Sequence, residues 1–388
     1  MRGHIAWRGS SWHVYYDRPR DPLTGRRRKT SKGPFTTKRA AQDWLNAQLV
    51  ELRRGTFIEP SAGRQPFGAY LREDWLPSLD ARGLRANTLQ GYKTAIKKHV
   101  LGHDVASIPL ERLGPEHLNA LYGSIVASGL SARTTRYVAM IVGQSLRDAE
   151  RWRRIVRNPA SLASPPSASA ALRDAEKARS FWTAEELRQF LGSDAVRKDR
   201  LHAMWVVLGT TGARRGEVLG LTWRHIDFER SRLRIAQALT QVGDEIQVTT
   251  PKSERGKRLI ALDAFTLEAL KAHRRGQLEE RLSLGLGRPS DDGFVFAQPD
   301  GEPLHPNAIT LAFQHRVRAS KVRRIRLHDL RHSAASLMLQ AGVNPKVASE
   351  RLGHASVGFT LTVYSHSVPA MHEEAAERVA SLIFGAGE

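Results

Sequence analysis

The stretch NPASLASPPSASAALRDAEKARS, residues 158–180, divides the sequence more sharply than any other feature. Proline fixes its own φ and lacks a backbone donor, and a Pro/Ser/Ala-rich run reads as a linker between domains. The sequence on its two sides differs in kind. From 66 to 160 apolar residues recur at helical spacing. Beyond 181, helical runs surround three short strand-like runs, RLRIAQAL, EIQVTT and KRLIAL. A chain of 388 residues broken in this way is expected to form two or three domains.

The first 54 residues carry 13 Lys/Arg against 4 Asp/Glu, a net of +9. In SSWHVYYDR, Trp12, Val14 and Tyr16 alternate with His13 and Tyr15, which predicts a strand. DPLTGRRRKTSKG then supplies a turn and a basic return strand, with Arg26, Arg27, Arg28 and Lys29 as candidate DNA contacts. A helix follows, with Thr37 as N-cap, an apolar stripe of Ala41, Trp44, Leu45, Leu49 and Leu52, and Gly55 as its stop.

The region 66–160 is expected to be all-helical, with Asn87 capping a helix through Leu89, Tyr92, Ile96 and Val100. In SARTTRYVAMIVGQSLRDAERWRRI, Val138, Ile141, Val142, Leu146, Ala149 and Trp152 share one face. Arg136, Arg147, Arg151 and Arg154 fall on a second stripe, which suits a helix lying on phosphates. After the linker, Thr183 and Glu186 have capping-box spacing. A helix through Leu201, Trp205 and Leu208 should end near Gly212. Four or five helices complete the domain, one of them starting at Asn344-Pro345.

A net charge of +21 points to a polyanionic partner, first of all a nucleic acid. No apolar run approaches 18 residues and the N-terminus lacks a signal-peptide core, so no membrane association is expected. The absence of cysteine excludes disulfides and thiolate metal sites and fits a cytoplasmic protein. HEEAA at His372 lacks the second histidine of a metalloprotease, and GLGRPS at Gly285 lacks the third glycine of a dinucleotide site. Neither a metal nor another cofactor is expected.

Two His-x-x-Arg pairs occur. His315/Arg318 lies late in a helix among solvated basic residues, whereas His328/Arg331 opens a helix with a core stripe of Leu330, Ala334, Leu337 and Ala341. Tyr364 stands alone in the last 250 residues. Taken in order, TGARRGEVLGL, TPKSERGKRLIAL, LHDLRHSAASLMLQAG and ERLGHASVGFTLTVYSH resemble the catalytic domain of tyrosine recombinases, in particular phage-type integrases, over residues 180–366. The N-terminal module resembles their arm-site DNA-binding domain and 66–160 their helical core-binding domain.

The resemblance implies a multidomain fold: a small α+β arm-binding domain over 1–62, an all-α core-binding domain over 66–160, a linker at 161–180, and a mainly-α catalytic domain with a small antiparallel sheet over 181–388. It implies site-specific recombination through a 3′-phosphotyrosyl intermediate, with Tyr364 as nucleophile, and requires neither metal nor ATP. Arg214 and Arg331 would fork onto the phosphate oxygens, with His328, His354 and Lys252 handling protons and Glu217 orienting Arg214. Lys257 rivals Lys252, because Lys252, Arg255, Lys257 and Arg258 crowd one turn; Ser253 stands where the family often has Thr. Arg215, beside Arg214, has no catalytic assignment, and His332 and His366 merely flank named residues.

Implied partners are duplex DNA with core and arm attachment sites, three further copies of the chain in a synaptic tetramer, a host DNA-bending protein and an excision factor. The tail 367–388 carries one Arg against four Glu, and Val368, Met371, Ala375, Val379 and Leu382 repeat at helical spacing. It suits a protein groove, on its own domain or on a neighbouring protomer.

Overall fold

A computed structural model describes residues 3–18, 25–54, 63–177, 180–243, 245–250, 256–353, 379–381 and 383–385. The chain forms two compact units, Met1–Glu176 and Lys177–Glu388.

The first unit opens with the antiparallel sheet β1 (Gly3–Arg8), β2 (Ser11–Arg18) and β3 (Arg28–Phe35), in that order, and helix α1 (Lys38–Arg54). Alternation in β2 turns Val14 and Tyr16 inward onto Ala41, Leu45 and Leu52 of α1. Thr37 caps α1 as expected, its Oγ1 accepting from Ala40 N at 3.1 Å. Gly55 lies outside the described residues.

A second core forms around a helical run, Phe67–Tyr70, a π-helical turn Leu71–Trp75 and Leu76–Asp80, together with α2 (Ala86–His99), α3 (Pro115–Ala127) and α4 (Ala132–Arg151). Arg85 occupies the N-cap of α2, so Asn87 lies inside the first turn rather than capping it. The apolar face of α4 is buried as its spacing predicts. Buried Asp148 on that helix accepts from Trp75 Nε1 and Arg82 Nη1, each at 2.8 Å.

The basic stripe holds three arginines rather than the expected four. α4 ends at Arg151, Trp152 is its C-cap, and Arg153 takes a left-handed φ of 55°. That turn carries Arg154 off the helix, where it meets Gln65 Oε1 at 3.4 Å and the Asp74 carboxylate at 3.5 Å. Arg151 pairs with Asp148 at 3.6 Å, and Arg136 and Arg147 remain exposed on the helix.

The Pro/Ser/Ala-rich stretch also differs from a plain linker. It contains α5 (Ala168–Lys177) and is bonded to the helical core along its length. Asn158 Nδ2 donates to Gly143 O at 3.1 Å, Ser164 N to Asn119 Oδ1 at 2.7 Å, Arg136 Nη1 to Pro166 O at 2.8 Å, and Ala132 N to Asp174 Oδ2 at 2.8 Å. The last bond lets Asp174 satisfy a free donor in the first turn of α4. The segment therefore acts as a strap across α3 and α4.

In the second unit, α6 (Ala184–Gly192) starts with the expected capping box: Glu186 N donates to Thr183 Oγ1 at 3.2 Å and Thr183 N to Glu186 Oε2 at 2.9 Å. Buried α7 (His202–Thr211) ends at Gly212, which is left-handed at φ 64°. A short helix, α8 (Arg215–Leu219), follows directly. Strands β4 (Ile226–Asp227), β5 (Arg232–Ile235) and β8 (Arg258–Ala261) form an antiparallel sheet ordered β4-β5-β8. β6 (Ala238–Val242) and β7 (Glu245–Thr249) form a separate hairpin.

The run RLRIAQAL thus splits between two sheets, because β6 is laid across the backbone of α8. A Cβ at Gly216 would stand 2.5 Å from Leu239 O, and one at Gly220 would stand 2.9 Å from Ala238 Cα. Helices α9 (Ala264–Ser283), α10 (Pro306–Ala319), α11 (Asp329–Gln340) and α12 (Pro345–Leu352) complete the described part. Asn344 Oδ1 caps α12 by accepting from Lys346 N at 2.8 Å, with Pro345 in the first turn as expected. Trp182, Phe190, Trp205 and Phe313 pack together in the core. Among the described residues no helix is long and apolar enough to cross a membrane.

Candidate active site

The site is built on two glycines that end helices. Gly212 closes α7 and Gly353 closes α12, both left-handed, at φ 64° and 68°. A left-handed residue turns the chain sharply and exposes its carbonyl, and glycine does this without steric cost. Gly212 also lies under α11 and α12: a Cβ there would meet Leu352 Cδ2 at 2.6 Å and Ala334 Cβ at 3.1 Å. Each of the two carbonyls receives an arginine.

Arg331, buried in α11, donates from Nη1 to Gly212 O at 2.9 Å. Arg214 donates from Nη2 to Gly353 O at 3.0 Å. Arg214 is the N-cap of α8 with extended backbone, rather than a residue within the helix. Its N–H donates to Glu217 Oε2 at 2.8 Å and its Nη1 to Glu217 Oε1 at 2.7 Å. Its side chain is 42% exposed while that of Glu217 is 7% exposed, so the guanidinium is anchored below and open to solvent above.

Arg258, which carries no assignment from the sequence, completes the site. Its side chain is 6% exposed and grips Glu217 from the other side, with Nη2 to Oε2 at 2.9 Å and Nη1 to Oε1 at 3.1 Å. Burial alone would raise the Glu217 pKa, but the hydrogen bonds and charge of Arg258, with Arg214 beside it, hold it down at about 2. A carboxyl whose pKa is lowered on folding contributes stability that is complete above its unfolded value, near 4.5, and is lost as pH falls towards 2. The contribution is on the order of 3 kcal/mol. Denaturant midpoints measured from pH 6 to pH 2 should therefore fall below about pH 4.5, and less steeply in Glu217→Gln.

His328 precedes α11. Although its surface is partly exposed, packing around the ring lowers its pKa below 6.5, and the positive charges of Arg331 and Arg214 lower it further. His332, one turn on, sets its ring edge-on to His328 with centroids 5.4 Å apart, a contact the sequence reading did not expect. Buried Asp329 holds the preceding turn by accepting from Arg326 N at 2.8 Å and from its guanidinium.

Arg215 turns away from this group and donates from Nη1 to Pro306 O at 3.0 Å and to Thr310 Oγ1 at 2.6 Å. His315 and Arg318 are exposed on α10, as expected of a solvated pair. Lys257 is exposed just before β8. Lys252, His354, Tyr364, His366 and most of the tail lie outside the described residues. Arg26, Arg27, Arg28 and Lys29 lie exposed on or beside β3, with Arg27 reaching Asp17 at 3.3 Å.

Residues 180–371 match the phage integrase family, and residues 5–52 match an arm DNA-binding domain. The catalytic part of the chain, residues 180–371, belongs to the phage integrase family. This integrase is 27% identical to the ICEBs1 integrase of Bacillus subtilis over 367 residues, covering 94% of its own chain and 95% of that relative. Its fold is shared by a Tn1549 transposon integrase solved with transposon right end DNA, with TM-score 0.66 and 20% identity, covering 81% and 99% of the two chains. It is also shared by a lambda integrase tetramer bound to a Holliday junction, with TM-score 0.58 and 19% identity, covering 90% and 92%. The integrase is a tyrosine recombinase with an N-terminal arm-binding domain, a helical core-binding domain and a catalytic domain with small antiparallel sheets.

Proposed function

We propose that the integrase cuts and rejoins duplex DNA at specific sites, integrating and excising a phage or other mobile element, with Tyr364 as nucleophile. The observation that carries the site assignment is the meeting of Arg214, Arg331 and His328. Arg331 binds the glycine turn that leads into Arg214, and both arginines act on the His328 ring. Two guanidiniums offset the charge that develops on a phosphate under attack, and their planar forks suit its non-bridging oxygens.

In the proposed step the Tyr364 oxygen attacks phosphorus and its proton passes to His328. The bond to the 5′-oxygen breaks, and that oxygen takes a proton from Lys252, or from Lys257 if the turn is set differently. His354 donates to a phosphate oxygen. The phosphotyrosyl bond conserves the energy of the broken one, so attack by a 5′-hydroxyl reseals the strand without ATP. These cationic and polar groups fill the role that a metal has in many nucleases.

The arm-domain match at 5–52 and the exposed basic β3 support binding of arm-type sites by the N-terminal module. Core-type sites fall to the helical domain, 66–160, and to the catalytic domain, 181–388. The working assembly is a DNA-bound tetramer in the bacterial cytoplasm, with a host bending protein and an excision factor as partners. The tail packs within it on its own or a neighbouring protomer.

The test is a nicked duplex from an element–chromosome junction, on which the released strand diffuses away. A denaturant-resistant adduct whose phosphopeptide maps to Tyr364 is expected. No adduct, or one on another residue, would sink the reading. Packing around the ring and the charges of Arg331 and Arg214 favour the neutral form of His328, which is the form able to accept a proton. In a single-turnover pH profile the acid-side decline of adduct formation should therefore lie at lower pH than an ordinary histidine would set.

A further inference from the structure

We propose that Arg258 is a positioning residue for catalysis, setting the orientation of Arg214 through Glu217; this rests on the recombinase reading above. Strand alternation in β8 turns Arg258 to the same side as buried Ile260, so a guanidinium sits where the sheet presents its core face. Its bonds leave it little freedom. Besides the fork on Glu217, Nε donates to Arg351 O at 2.7 Å and Nη1 to Gly256 O at 3.3 Å. A Cβ at Gly353 would stand 2.9 Å from Nη1, so the glycine backbone is pressed against the guanidinium.

These contacts close a ring. Arg258 holds Glu217, Glu217 holds Arg214, Arg214 holds the Gly353 carbonyl, and Gly353 ends the helix whose Arg351 carbonyl returns to Arg258. The ring contains Arg214 itself, and two further site candidates adjoin its members in sequence: Lys257 beside Arg258, and His354 after Gly353. A buried ion pair is near break-even for stability against well-packed apolar side chains. What the ring supplies is geometry, because Glu217 alone could hold Arg214 in more than one pose.

A neutral methylphosphonate at the scissile position separates this role from a structural one, since it needs no guanidinium to offset a diester charge. Wild type, Arg258→Lys and Arg258→Gln are compared on nicked junction duplexes carrying a phosphodiester or a methylphosphonate, at saturating DNA. Arg258→Lys should lose about a hundredfold in adduct rate on the diester, the cost expected of a displacement near 1 Å. On the methylphosphonate it should lose less than about tenfold. Equal losses on both substrates, or no loss on the diester, would overturn the proposal. If Arg258→Lys does not fold, as judged by thermal unfolding, Glu217→Gln loosens the same grip from the other side and is read against the same outcomes. Wild type that forms no adduct on the diester refutes the recombinase reading itself.

Discussion

Arg214→Ala is expected to lower adduct formation on a nicked junction duplex by a hundred- to a thousandfold, and Arg215→Ala by less than about fivefold. The two residues are adjacent, equally charged and both attached to α8, so the contrast tests the geometry rather than the charge. Arg214 keeps one side on Glu217 and Gly353 O and opens the other to solvent, where a phosphate can be received. Arg215 spends its donors on Pro306 O and Thr310 Oγ1, tying α8 to the start of α10. Its loss should appear as about 1–2 kcal/mol of stability, because a carbonyl and a hydroxyl lose a charged donor. Equal losses of cleavage in the two variants would mean that the phosphate approaches from the α10 side.

Glu217→Ala is expected to be the most destabilising single change at the site, by about 3–5 kcal/mol in denaturant unfolding, because it strands the buried Arg258 charge without its counterion. Cleavage should fall at least as far as in Arg258→Lys, since Arg214 loses its carboxylate as well. Arg258→Met together with Glu217→Leu should recover much of the stability and none of the activity, the pair being exchanged for apolar volume. A double variant that regained cleavage would show the ion pair to be scaffold alone.

Much of this site was legible in the sequence, for reasons that can be named. The three-residue spacing of Arg214 and Glu217 brings the two side chains together both within a helix and, as here, with Arg214 at the N-cap. Thr183/Glu186 and Asn344-Pro345 announced their helices because capping is local chemistry. Arg258 was hidden in a turn crowded with cations, yet KRLIAL did hold a signal: with Ile260 and Leu262 facing inward, period-two alternation places Arg258 on the buried side as well.

The basic stripe was overcounted by one residue because Arg153, not a glycine, takes the left-handed turn after α4. Composition could not reveal that residues 158–177 form a strap. Its contacts run through backbone groups, the Asn158 amide and one carboxylate, which a solvated linker of the same composition would also possess.

The ring around Glu217 bears on the kinetics of encounter. A free arginine side chain gives up about 2 kcal/mol of rotamer entropy when it is fixed. In Arg214 that loss is already incurred by folding, before any DNA arrives. In the proposed role, capture of the scissile phosphate by Arg214 then requires no local ordering step. The approach to DNA should be governed by ionic strength and diffusion, with the search for a productive side-chain pose already over.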